Sequence, residues 1–247
     1  EGNIEWQKTF GGIYADQLRS AVQTRDGGYL LGGSSNSPES GNKTEKCYGM
    51  SDYWAIKIDS KGEMEWQKVY GGDSDDQLQA LLQTKDGNFL LAGSSSSATT
   101  GNKNASNGKG TDFWLLKIDP SGEIVWQKTY DNGQTDLLTS IEENKDGSLL
   151  LGGHAQSETY VTRKKDREGI NDYIAIKTDD KGEEQWTRTV GSNGEDILRK
   201  AIETRDGGYI LAGTSMGAPS RDRYSGQGRN DFWVVKLKDK KKKEEKR

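Results

Sequence analysis

Short apolar runs separated by Gly and Asp punctuation recur along the whole chain. Residues 63–118 show the pattern best, with four segments of strand character: EMEWQKVY (63–70), QLQALLQT (77–84), NFLLAG (88–93) and DFWLLKI (112–118). Each is rich in aromatic or aliphatic residues and partly alternates, as half-buried strands do. No helix is indicated. The same pattern returns every 60 residues: Trp6, Trp66, Trp126 and Trp186; Asp16, Asp76, Asp136 and Asp196; Asp26, Asp86, Asp146 and Asp206; Gly33, Gly93, Gly153 and Gly213. In a fifth set, Asp52, Asp112, Asp172 and Asp231, the last member falls one residue early. A fixed period of this size marks a repeat architecture, and four copies fill the chain.

The punctuation assigns the connections. Asp26-Gly27, Asp86-Gly87, Asp146-Gly147 and Asp206-Gly207 lie between the second and third segments, where a tight hairpin needs residues that tolerate positive φ. Asp59-Ser60-Lys61-Gly62, Asp119-Pro120-Ser121-Gly122 and Asp179-Asp180-Lys181-Gly182 read as type I turns with a left-handed glycine. Only the connection before Asp52, Asp112, Asp172 and Asp231 is long and polar, for example 34–51. Three hairpin-type joints and one open loop describe a four-stranded antiparallel blade. The expected fold class is all-β, a four-bladed β-propeller over residues 1–239, followed by a Lys-rich disordered tail at 240–247. The phase of the repeat leaves the last blade without its outer strand, so residues 4–9 are expected to pair with 232–237 and close the ring. A fragment of a larger ring or array is the alternative.

Composition narrows the function. Only 30% of the 247 residues are hydrophobic and no run approaches the ~20 apolar residues of a membrane-spanning helix. The chain opens at Glu1 without a charged-then-apolar leader, and the expectation is that any export signal has been removed. The net charge is −4, but the last ten residues hold seven basic and three acidic groups, leaving −8 on the body before them. Such a body repels nucleic acid, which is recognised by a concentrated basic face. A single cysteine, Cys47, and a single histidine, His154, exclude an internal disulfide framework, a thiolate metal cluster and most zinc chemistry.

The strings Asp-aromatic-Trp, Lys-Ile-Asp, Trp-Gln-Lys and Asp-Gly-Gly-Tyr carry a resemblance as well. The units beginning GGYLLGG and GNFLLAG look like the roughly 60-residue propeller repeats of secreted and cell-surface proteins of Bacteroidetes-type bacteria, which often end in a type IX secretion sorting domain. The resemblance covers residue 2 to about 237. It implies export and a life at the cell surface, but no single activity, although some members are labelled lectin-like. Two departures stand out: Ile174 replaces the tryptophan of Trp54, Trp114 and Trp233, and a Lys-rich end stands in place of a sorting domain.

Residues recurring in every copy read first as structure. The Trp6 set is expected to pack between blades, a ring of sugar-stacking platforms being the alternative. Asp16, Asp76, Asp136 and Asp196 precede the inner strands and would ring one channel mouth, either anchored by backbone donors or holding calcium on the axis. Calcium is the one cofactor considered. The Asp52 set is expected to link adjacent blades. A catalytic acid, base or nucleophile is needed once, so residues that break the symmetry are the better candidates: His154, Cys47 and the cluster Tyr160, Arg163, Lys164, Lys165, Asp166 and Arg167. No Ser-His-Asp or Cys-His spacing surrounds them, and no enzyme is expected. The long loops carry the binding candidates Asn42, Lys43, Tyr48, Asn102, Lys103, Tyr160, Arg163 and Tyr224. The expected function is a non-catalytic, secreted or surface module that binds glycan or protein through this loop face. A structural spacer or assembly subunit is the alternative.

Overall fold

The computed structural model describes every residue except 1, 106, 107, 109, 157–170, 217 and 240–247, so the expected tail lies outside it. It is all-β, with fifteen strands in four antiparallel sheets and no helix among the described residues. No helix there is long and apolar enough to cross a membrane. The chain forms two compact units, Glu1–Asp131 and Asn132–Arg247.

Unit one holds two four-stranded meanders. The first runs β1 (Asp16–Gln23), β2 (Tyr29–Ser35), β3 (Asp52–Ile58) and β4 (Met64–Tyr70); the second runs β5 (Asp76–Gln83), β6 (Phe89–Ser95), β7 (Asp112–Ile118) and β8 (Ile124–Tyr130). The expected strands, hairpins and long connections fall where the pattern put them. β3 is buried along its whole length because both faces are covered, which accounts for its nearly unbroken apolar run. In the β1–β2 turn Gly27 takes φ +85° and Asp26 Oδ1 accepts the Gly28 N–H at 3.0 Å. In the β3–β4 turn Asp59 Oδ1 accepts the N–H groups of Lys61 and Glu63, both at 2.8 Å.

The recurrent Gly33 position has a separate cause. β1 and β5 each slip register once, between Leu18 and Ser20 and between Leu78 and Ala80. A Cβ on Gly33 or Gly93 would then lie 1.9 or 2.0 Å from the carbonyl oxygen of Gln17 or Gln77, so only glycine fits opposite the bulge.

The sheets of unit one pack through residues one repeat apart. Leu78 and Leu81 press against Gly32. The rings of Tyr53 and Trp114 lie 4.8 Å apart, and the Tyr53 hydroxyl donates to Trp114 O at 3.1 Å. Trp66 Nε1 donates to Pro120 O at 3.0 Å and Tyr70 Oη to Gly122 O at 2.7 Å, so the recurrent tryptophan serves packing between sheets.

Unit two contains β9 (Asp136–Glu143), β10 (Leu149–Gln156), β11 (Asn171–Thr178) and β12 (Glu184–Val190) in one sheet. Its second sheet has three strands, β13 (Asp196–Glu203), β14 (Tyr209–Met216) and β15 (Asn230–Leu237). The inter-sheet contacts repeat those of unit one. Tyr173 stacks on Trp233 at 4.9 Å and donates to its carbonyl at 3.2 Å, and Trp186 meets Tyr209 edge-on at 5.2 Å. β15 pairs with β14 along one edge, and Phe232 is 95% exposed.

One expected strand is not formed. Residues 2–10 join no sheet among the described residues. They are held through side chains instead: Trp6 Nε1 donates to Ser60 O at 3.2 Å, Lys8 pairs with Glu63 at 2.6 Å, and the indole meets Tyr29 edge-on at 6.1 Å. Trp66 and Lys68 grip the next sheet in the same way, Lys68 pairing with Glu123 at 3.0 Å. Residues 4–9 therefore dock face-on like an outer strand, but a strand also needs a backbone ladder, and no strand of unit one offers them one.

Candidate functional site

Strand polarity gathers the long loops at one end of each sheet, together with the short connections that lead into β5 and β13. At this end both Asp sets do the same local work. Asp16, Asp76, Asp136 and Asp196 accept the N–H four residues earlier, from Gly12 (2.7 Å), Gly72 (2.9 Å), Asn132 (2.5 Å) and Ser192 (2.5 Å). Asp52, Asp112 and Asp231 accept from Tyr48 (2.5 Å), Gly108 (2.7 Å) and Gln227 (2.9 Å). Each carboxylate thus satisfies the backbone of the bend that feeds its strand. The link between adjacent sheets expected at Asp52 is made beside it by backbone, Asp76 N–H donating to Ser51 O at 2.7 Å and Met50 N–H to Ser74 O at 3.0 Å.

The long loops of unit one are clamped. Lys43 is buried; its ammonium donates to Glu45 O and lies 5.8 Å from the Trp54 ring centre. Lys103 repeats this, donating to Ser97 O at 3.0 Å and Ala105 O at 2.7 Å, 5.7 Å from the Trp114 ring. Desolvation pulls the Lys103 pKa below its usual value. Gln67 Oε1 accepts Trp54 Nε1 and Thr44 N–H, both at 3.2 Å, while its Nε2 donates to Asn42 O at 2.9 Å. Gln127 does the same with Trp114, Asn104 and Asn102 at 3.2, 3.0 and 3.0 Å. Asn42 stitches the loop to the preceding segment, accepting Gly11 N–H at 2.8 Å and donating to Thr9 O at 2.8 Å; Asn102 does so with Gly71 and Val69 at 2.9 and 2.8 Å.

Four of the binding candidates, Asn42, Lys43, Asn102 and Lys103, thus spend polar groups within the fold. Tyr48 (45% exposed) and Tyr224 (92%) remain open to a ligand, while Tyr160 and Arg163, with the rest of their charged cluster, lie outside the described residues. Sequence reasoning missed the clamp, although its signal was present: Lys43, Lys103, Arg163 and Arg223 recur at 60 residues, and Gln67 and Gln127 each follow their tryptophan by 13. Arg223 is buried as well and pairs with Asp231. In the third repeat Ile174 and Thr187 replace tryptophan and glutamine together. Three more apolar side chains, Ile13, Tyr14 and Met50, are 66, 64 and 73% exposed at the loop end of unit one. The tight-turn ends expose apolar side chains too, Ile4 at 80% and Val125 at 53%.

The asymmetric candidates offer little chemistry. His154 is buried in β10, and desolvation, then Arg199, hold its imidazole neutral with a pKa lowered to about 4. Burial raises the Cys47 thiol, whose Sγ lies 3.0 Å from Ser35 O and 3.7 Å from Lys43 Nζ. Burial also pushes the carboxyl of Asp52 up to about 7 and that of Asp112 to about 6.

No protein-family model matches the chain. The regulatory protein FlaEY of Caulobacter vibrioides is 24% identical over 211 residues, covering 80% of this chain and 22% of that protein, so the chain spans about a fifth of the length of this curated relative.

Proposed function

We propose that the protein is a non-catalytic recognition module of the cell surface or extracellular space, binding glycan or protein through the face that carries its long loops. The observation behind this is the group of exposed side chains at the loop ends, Ile13, Tyr14, Tyr48, Met50 and Tyr224, four of them in unit one and three of the five being tyrosines; at the turn ends Ile4 and Val125 are open without an exposed tyrosine beside them among the described residues. The clamps on 42–44 and 102–104 hold this surface in one conformation, which lowers the entropy lost on binding. Single contacts of this kind are weak, on the order of millimolar, so useful retention comes from several acting on one surface. The test replaces Tyr14, Tyr48 and Met50 together by serine and compares retention on bacterial surfaces and on a glycan array. Loss of retention is expected, with unchanged retention when Lys61 and Lys85 at the turn end are replaced. Equal retention by both variants sinks the reading.

We further propose that the four sheets are blades of one propeller, with residues 4–9 as the outer strand beside β15. The docking of Trp6 and Lys8 on the β3–β4 turn supports this, since it copies an outer strand without sheet mates. So does the pairing of Trp54 with Gln67 and Trp114 with Gln127, because by repeat register the glutamine that corresponds for Trp233 is Gln7. The same features favour a spacer or assembly subunit as the second functional reading, one sheet docking on the next by a rule that extends to further repeats.

A further inference from the structure

Two buried carboxylates meet at the junction of the two sheets in unit one. Asp52 opens β3, Asp76 opens β5, and both are 0% exposed. The Oδ2 atom of Asp52 takes the N–H groups of Tyr48 at 2.5 Å and Gly49 at 3.5 Å; that of Asp76 takes Gly72 N–H at 2.9 Å and the Ser97 hydroxyl at 2.8 Å. The Ser95 hydroxyl also favours charge on Asp76, while the Oδ1 atoms of both carboxyls are sealed from solvent with no partner in hydrogen-bond geometry. The two carboxyl groups lie within reach of one another, and Asp76 raises the cost of charge on Asp52. The nearest ammonium, Lys103, attracts Asp76 but donates to Ser97 O and Ala105 O.

Unit two shows what this arrangement lacks. Asp172 opens β11 and Asp196 opens β13 at the same repeat positions, and there the Arg221 guanidinium donates to Asp172 Oδ1 at 3.3 Å, to Asp172 Oδ2 at 3.1 Å and to Ser192 O at 3.1 Å. Arg221 is the described non-glycine residue with positive φ, at +54°. Its counterpart in unit one is Gly101, at φ +61°, which has no side chain to offer. Gly72 stands where Ser192 does. Unit one therefore keeps the buried oxygens of this junction without the cation.

We propose that Asp52 and Asp76 bind one hard, oxygen-seeking divalent cation, calcium foremost, in the place that the Arg221 guanidinium occupies in unit two. The donor set is carboxylate, which suits calcium and not the softer metals that seek imidazole or thiolate. The site differs from a ring of Asp16, Asp76, Asp136 and Asp196, because it takes two carboxylates from one junction.

The test is calorimetric titration of chelator-stripped protein with calcium chloride, alongside melting curves. Wild type is expected to bind calcium and to melt several degrees higher when saturated. Asp52→Asn is expected to remove one equivalent, since Asn still accepts the Tyr48 N–H and offers Asp76 a donor in place of the metal. Arg221→Gly is expected to add one equivalent by removing the guanidinium from Asp172, and this readout does not depend on the folding of the first variant. Wild-type protein that takes up no calcium, unchanged stoichiometry in Asp52→Asn, or no gain in Arg221→Gly overturns the proposal.

Discussion

Burying an ammonium group costs several kcal/mol unless its protons and charge are well placed. Lys103 meets that demand by donating to two loop carbonyls above an indole, so a residue that looks like solvated loop chemistry is a rivet. Buried carboxylates face the opposite problem. Asp52 has a folded pKa of about 7 against an ordinary 3.8, with burial as the main cause and Asp76 contributing. The folded state therefore keeps a proton that the unfolded chain releases between about pH 4 and 7, and stability conferred by this group is present below that window and lost as pH rises through it. Asp52→Asn carries no such titration. Its stability relative to wild type in metal-free buffer is expected to climb from pH 4 to 7 and then level off, by about 1–3 kcal/mol, measured by denaturant melts across that range. A difference independent of pH contradicts the assignment. The Asp sets and Gly33 set were legible as positions because a backbone rule repeats with the fold, whereas the roles of Lys43, Lys103 and Gln67 depend on which loop atoms fold back over them, and no local pattern encodes that.

The strands were legible because alternation, aromatic content and Asp-Gly turns agree along each of them. Residues 4–9 carry the same alternation and the same Trp-Gln-Lys as β4, yet form no strand among the described residues. Sequence pattern specifies which face a segment presents, while the ladder depends on a partner elsewhere. Glycine positions separate two such causes within one element. At Gly93 a Cβ would stand 2.0 Å from Gln77 O across the bulge, whereas at Gly27 nothing lies within 4 Å and only the φ of +85° resists substitution. Gly93→Ala is expected to destabilise by about 2–4 kcal/mol through forced backbone displacement, and Gly27→Ala by about 1 kcal/mol. Chemical denaturation of the two variants orders them; equal costs remove the bulge from the explanation.

For the molecule as a whole, the proposed ring closure is tested by a double-mutant cycle. Gln7 is exposed within unit one. Trp233 occupies the position of Trp54 and Trp114, whose indoles a glutamine receives. Gln7→Ala and Trp233→Phe are expected to be non-additive by about 0.5–1.5 kcal/mol if residues 4–9 complete the last sheet, and additive costs place the two ends apart. The docking rule itself has a further consequence. Trp6 gripping Ser60 and Trp66 gripping Pro120 are one contact made twice, between a plug in one repeat and a different socket in the next. An interface of this head-to-tail kind is heterologous, so a duplicated module inherits both halves already matched. Gain or loss of a whole 60-residue module leaves every remaining plug facing a socket, while a change to one plug is compensated only by its socket a module away. Descent in such chains favours whole-number steps in length, with plugs and sockets drifting in pairs.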